Sequence, residues 1–113
     1  MEAEPISVNI YVTPDGEAPF SSWLYRLKDS TARRIVRARI ARLRLGLFGD
    51  SKSLGDGVYE LRISYGPGFR VYYGREDRRV VILLTGGDKS TQRRDIESAK
   101  RLWADYGSEN NAG

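Results

Sequence analysis

The chain contains neither cysteine nor histidine. Without cysteine, disulfide frameworks and thiolate chemistry are excluded, and nothing argues for export. Without histidine, the commonest general base and metal ligand is missing. The carboxylates Asp50, Asp56, Glu60, Asp77, Asp88, Asp95 and Glu97 show no metal-ligand spacing, so neither a metal nor another cofactor is expected. No apolar run approaches the roughly 18 residues that a membrane span requires, so no membrane partner is expected. The opening "MEAEPISVNIYV" is acidic and lacks a basic region before an apolar run, which argues against a secretory signal. A cytoplasmic location is the resulting expectation.

What is present fits one folded domain. The 113 residues are 40% hydrophobic and 30% charged. The net charge of +4 and the high isoelectric point suit an anionic partner, whether nucleic acid or an acidic protein. Ile6 to Val12 alternates β-branched and polar residues and reads as a strand. Pro14, Gly16 and Pro19 break it. Phe20 to Leu27 reads as a short helix. Asp29, Ser30 and Thr31 offer caps for a second helix running to about Leu45, with a core stripe of Ala32, Val36, Ile40, Leu43 and Leu47. "GLFGDSKSLGDG" reads as a glycine-rich loop. Three strands are expected at Val58–Tyr65, Phe69–Gly74 and Arg79–Thr85, joined as a meander, with Val80 to Leu84 apolar on both faces. A last helix is expected from about Ser90 to Tyr106. Residues 1–106 thus form one α+β domain of order β-α-α-β-β-β-α with a small antiparallel sheet. The apolar-free tail, 107–113, is expected to be disordered.

The stretch "ELRISYGPGFRVYY" places Arg62 and Arg70 inside two strands of a hairpin. A two-residue Pro67-Gly68 turn would put these arginines on opposite faces and mix charges with aromatics on both. A three-residue loop, Gly66 to Gly68, pairs Arg62 with Tyr72. It sorts Leu61, Ile63, Tyr65, Phe69, Val71 and Tyr73 onto one face, and Glu60, Arg62, Ser64, Arg70 and Tyr72 onto the other. The sorted register is expected, because a one-residue slip exchanges the faces. The arginines then line a polar sheet face.

Two further features suit an anion. The returning strand ends in "LLTGGDKSTQRRDI", where Gly86 and Gly87 allow a turn and Asp88 or Ser90 caps the last helix. Free N–H groups and Lys89 gather in its first turn. "GDKST" is not a P-loop, since Asp88 and Leu83 stand where that signature needs glycine. In the second helix, six arginines fall between Arg33 and Arg44 with no acid among them, and Arg33, Arg37 and Arg44 share a stripe.

"GVYELRISYGPGFRVYYGR" and "VILLTGGDKSTQRRDIESAKRLWADY" resemble the RelE/ParE toxin superfamily of type II toxin–antitoxin modules, most closely its HigB-like addiction module killer branch. The resemblance implies an antiparallel sheet with an N-terminal helix pair on one face and an active site on the other. It implies that Arg62, Arg70 and Lys89 hold a scissile phosphate, as basic residues at matching positions do in nuclease members. Many such members also carry a Tyr or His near the C-terminal end. This chain has no His, and its last tyrosine, Tyr106, falls on the core side of the last helix.

The activity so implied is a ribosome-dependent, metal-independent cleavage of mRNA by the substrate's own 2′-OH. In it, Arg70 binds the phosphate with Arg62 beside it, and Lys89 serves the phosphate or the leaving 5′-oxygen. Glu60 is either the base or an ion-pair partner of Arg62. Tyr72 stacks on a base or donates a hydrogen bond. Gln92, Arg33, Arg37 and Arg44 contact RNA. The alternative is a protein-binding toxin without chemistry, like the gyrase-directed members. Either reading implies a cognate antitoxin, in this branch often a helix-turn-helix DNA-binding protein.

Overall fold

A computed structural model describes residues 4–111. In chain order it contains β1 (Ser7–Ile10), α1 (Pro19–Arg26), α2 (Ser30–Arg44), β2 (Ser51–Gly55), β3 (Val58–Ile63), β4 (Phe69–Asp77), β5 (Val80–Asp88), a single 3₁₀ turn (Lys89–Thr91) and α3 (Gln92–Asn111). The five strands form one sheet in the order β1-β5-β4-β3-β2.

The class is α+β as expected, with two corrections to the sheet. First, it is mixed, because β1 runs parallel to β5, pairing Ser7 with Val80 and Ile10 with Leu83. Second, β2 lies inside the stretch read as loop. The segment "SKSLG" has no β-branched or aromatic residue, so its strand character comes from pairing with β3 rather than from propensity. The turn between them is Asp56-Gly57, with φ of +57° and +83°. Two successive positive φ values match the right-handed twist of a tight hairpin, and Asp-Gly is a preferred dipeptide for it.

Helix α2 starts where the sequence indicates. The Asp29 side chain accepts hydrogen bonds from the backbone N–H groups of Thr31 (2.9 Å) and Ala32 (3.2 Å). Ala32, Val36, Ile40 and Leu43 are buried, but Leu47 is 45% exposed, so the expected stripe ends one turn early. Gly46, at φ +80°, turns the chain away just before it. At the other end of the chain, α3 continues to Asn111 rather than stopping at Tyr106, so residues 107–111 are helical. Residues 112 and 113 lie outside the described residues.

The hairpin β3–β4 pairs Ile63 with Phe69, Arg62 with Arg70 and Glu60 with Tyr72. Its connection is therefore residues 64–68 rather than 66–68, and Arg62 faces Arg70 instead of Tyr72. A slip of two residues leaves every side chain on its expected face. Leu61, Ile63, Phe69, Val71 and Tyr73 pack with Phe20 and the buried stripe of α2. The opposite face is not simply a wet surface. Tyr72, Val58, Ile82 and Leu84 pack with Tyr11 and Ala99, beneath Ile96, Leu102 and Trp103 of α3. The sheet is thus sandwiched between α1–α2 and α3.

Trp103 lies directly on the backbone of β4. A Cβ added at Gly74 would come within 2.3 Å of its indole. We expect Gly74→Ala to lose about 1–3 kcal/mol through overpacking, read as a lower urea midpoint at unchanged m-value.

Candidate functional site

The β3–β4 register sets Arg62 directly across from Arg70 on the α3 side of the sheet. Like charges in that position repel. Glu60, one pleat along the same face, answers this. Its Oε1 accepts from Arg62 Nε at 2.9 Å and lies 3.9 Å from Arg70 Nε. Its Oε2 accepts from Gln92 Nε2 at 2.8 Å and from the Tyr72 hydroxyl at 3.2 Å. One carboxylate from β3 thereby ties together β4 and the start of α3. Burial would push the Glu60 carboxyl up, but the hydrogen bonds from Gln92, Arg62 and Tyr72 outweigh it and hold the group below the ordinary range. The same contact raises Arg62. Burial first, and the Glu60 charge second, push Tyr72 up, so its hydroxyl stays a donor.

Arg70 is the more enclosed arginine, with 13% of its side chain exposed against 34% for Arg62. Its Nη1 donates to the carbonyls of Gly68 (3.1 Å) and Phe69 (3.2 Å), while its buried Nε lacks a hydrogen-bond partner. These bonds fix the guanidinium against the hairpin loop.

Lys89 reaches the same place from β5. Pairing of Phe69 with Asp88 brings the end of β5 beside the start of β4. Asp88 then caps the 3₁₀ turn, accepting from Ser90 N–H at 2.8 Å, and Lys89 is the first residue of that turn. The hairpin loop lies against both cations at Gly68, where glycine suits the positive φ rather than a lack of space. This residue has φ +80°, and a Cβ there would stand 3.4 Å from Arg70 Nη1 and 3.6 Å from the Lys89 Cβ.

Arg62, Arg70 and Lys89 line one open cleft of about 560 Å³ between the hairpin loop and the edge beside β2. Among the described residues, Asp50 is the one carboxylate in its lining. The Asp50 carbonyl accepts from Arg62 N–H at 2.8 Å, which pins the residue to β3. From behind, Arg39 of α2 donates from Nη1 to the Arg62 carbonyl at 2.9 Å. Gly49 has φ +63°, and a Cβ on it would approach Arg39 Nη2 to 2.6 Å. The sequence does not show Asp50 beside Arg62, because β2 has no strand signal of its own, and it does not show which α2 arginine reaches β3. The Asp56-Gly57 dipeptide was the signal that would have placed Asp50 next to Arg62.

Several expected site residues fall elsewhere. Tyr72 has no exposed surface, so it offers no ring face to a nucleobase. Glu60 is equally enclosed, with both oxygens occupied by Arg62, Tyr72 and Gln92. The Gln92 amide is turned inward to Glu60. The stripe Arg33, Arg37 and Arg44 belongs to α2, whose buried side packs on the opposite face of the sheet. Arg33 donates to the Leu27 carbonyl, while Arg37 and Arg44 are exposed. Gly86 and Gly87 do not make a turn, since both lie within β5. They permit close approach instead. A Cβ would come within 2.2 Å of the Trp23 ring at Gly86 and within 1.8 Å of Asp95 Oδ2 at Gly87. Tyr106 is half-buried and stacks on Trp103, and its hydroxyl donates to Glu76, a bond that leads its pKa up to about 12. It does not line the cleft. Among the described residues no group of three or more carboxylates is placed to hold a metal, and no helix is long and apolar enough to cross a membrane.

The elements that build this cleft coincide with a known sequence family. The model of the phage-derived Gp49-like proteins (DUF891) matches residues 22–104, from α1 through most of α3. The chain belongs to the Gp49-like family. An uncharacterized protein of Haemophilus influenzae (strain Rd) is 52% identical over 88 residues, covering 78% of this chain and 89% of that protein. The Gp49-like family is associated with toxin–antitoxin modules, which implies a cognate antitoxin as partner.

Proposed function

We propose that this Gp49-like protein is a toxin that cleaves mRNA on the ribosome without a metal, in the manner of the RelE and HigB nucleases. The observation that supports this reading is the shared cleft of Arg62, Arg70 and Lys89, contributed by β3, β4 and the turn after β5. An RNA strand is cut when its 2′-OH attacks the adjacent phosphorus and the 5′-oxygen leaves. The enzyme has to align the backbone and stabilise charge that grows on the phosphate oxygens. Arg70, held through Nη1 by two carbonyls and backed on its Nε side by Glu60, brings a fixed positive charge to those oxygens, with Nη2 left as the donor. Arg62 adds a second guanidinium from the facing strand. Lys89 is exposed at the cleft mouth, where its ammonium reaches the phosphate or the leaving oxygen.

In this reading Glu60, Tyr72 and Gln92 work behind the surface and keep the arginines in place. Exposed Arg37 and Arg44 meet RNA only on the far side of the molecule, away from the reacting phosphate. The antitoxin is a helix-turn-helix protein with an acidic segment that complements the basic cleft.

Induced expression followed by mapping of mRNA 5′ ends tests the activity. New ends within translated frames are expected, and none with Arg70→Ala. Growth arrest with intact mRNA and induction of DNA-repair genes would instead favour the gyrase-directed alternative. A second test reads the electrostatics. Binding of a single-stranded RNA that cannot be cleaved should weaken with salt, and Lys89→Ala should reduce the slope of log K against log salt by about 0.7, the share of one phosphate contact.

A further inference from the structure

We propose that Asp50 is the general base of the cleavage reaction, a role that rests on the nuclease reading above. The chemistry requires a group that takes the 2′-OH proton, and the chain has no histidine to supply it. Glu60 is shut off from the cleft by full burial and four polar neighbours, Arg62, Arg70, Tyr72 and Gln92. Asp50 differs on each count. It is exposed, it lines the same cleft as Arg62, Arg70 and Lys89, and its charge is felt at Arg62.

Its position is also built. A backbone anchor sets it, the Asp50 carbonyl on Arg62 N–H, and the Arg39 guanidinium holds the Arg62 carbonyl in turn. A carboxylate in this lining shares the cleft with the arginines assigned to the phosphate, where the 2′-OH of the preceding nucleotide would also lie. In the step, the Asp50 carboxylate removes the proton from the 2′-OH. The O2′–P bond forms, the P–O5′ bond breaks, and the departing 5′-oxygen takes a proton from the Lys89 ammonium. The products are a 2′,3′-cyclic phosphate and a 5′-hydroxyl, with no oxidant or cofactor consumed.

The test is single-turnover cleavage of a short mRNA programmed on ribosomes by wild-type protein, Asp50→Asn, Lys89→Ala and Arg70→Ala. Asp50→Asn should cleave about 10²–10⁴-fold more slowly. Its affinity for the same mRNA with a 2′-O-methyl group at the cut site should be equal or higher, because a negative charge has left the cleft. Its thermal midpoint should be unchanged, since the Asp50 backbone contact does not involve the side chain. With sulfur in place of the 5′-bridging oxygen, the leaving group needs no proton. Lys89→Ala should then regain speed while Asp50→Asn remains slow. Wild-type cleavage with an equally fast Asp50→Asn and an inactive Arg70→Ala would overturn the base assignment and leave the nuclease reading standing. Absence of wild-type cleavage would overturn both.

Discussion

Replacing Arg70 with alanine is expected to end growth arrest without unfolding the protein. Removing one preorganised donor to a developing anion lowers a rate by about 10²–10³-fold, and here the fork and its charge go together. Stability should change little. The buried Arg70 Nε already lacks a hydrogen-bond partner, and Glu60 keeps Arg62, Tyr72 and Gln92 as donors after the change. Arg70→Lys separates charge from geometry. It keeps the cation but loses the planar guanidinium and the two carbonyl contacts that fix it, so it should stay strongly impaired. Colony counts after induction, with a thermal melt of each purified variant, check both halves. Full toxicity of Arg70→Ala would remove the cleft from the mechanism.

Replacing Glu60 with alanine should do the opposite and damage fold and function together. The change leaves Arg70 mostly buried without a counter-charge and leaves the Tyr72 hydroxyl without its acceptor. Arg62 keeps access to solvent and adds little. A loss of about 3 kcal/mol is expected, from the uncompensated buried charge and the unsatisfied hydroxyl. Acidification should show the same contact. The Glu60 carboxyl is held below the 4.5 of a free glutamate, so its stabilising effect is complete above that pH and disappears as pH falls through the lower folded value. Asp15 and Asp29 are also held low and contribute to acid sensitivity. The difference between wild type and Glu60→Gln isolates the Glu60 share. Urea midpoints should lie furthest apart at neutral pH and converge as pH falls through the lowered folded value of Glu60. Parallel curves at every pH would show that the carboxylate charge is not what holds the arginines.

Much of the fold was legible because hydrophobic periodicity and caps agree in this chain. The stripe Ala32, Val36, Ile40, Leu43 and the Asp29 cap define α2, and alternation along β3 and β4 sorts their faces. Face sorting survived an incorrect loop length because parity, not the exact partner, decides which side a residue occupies. The edges of the sheet were not legible in the same way. β2 is four polar or glycine residues around Leu54, and its strand form is imposed by β3. The parallel pairing of β1 with β5 joins residues more than seventy positions apart and leaves no local trace.

That Arg62, Arg70 and Lys89 share one cleft was legible from residue type and placement on a hairpin and a helix start. Roles that depend on burial were not. Nothing in "YELRI" or "RVYYG" tells that Glu60 and Tyr72 lie under α3, so both looked like groups available to a substrate. Asp50 escaped notice with the strand that follows it, and nothing in the spacing of Arg33, Arg37 and Arg44 tells that α2 packs on the face of the sheet opposite α3.

A cryo-EM reconstruction of the protein on a translating ribosome, with mRNA made uncleavable by 2′-O-methylation, examines the convergence of the three cations directly. One mRNA phosphate should lie within hydrogen-bonding distance of Arg70, with Arg62 and Lys89 on either side of it. Density for mRNA running along the exposed arginines of α2, with the cleft empty of RNA, would contradict it.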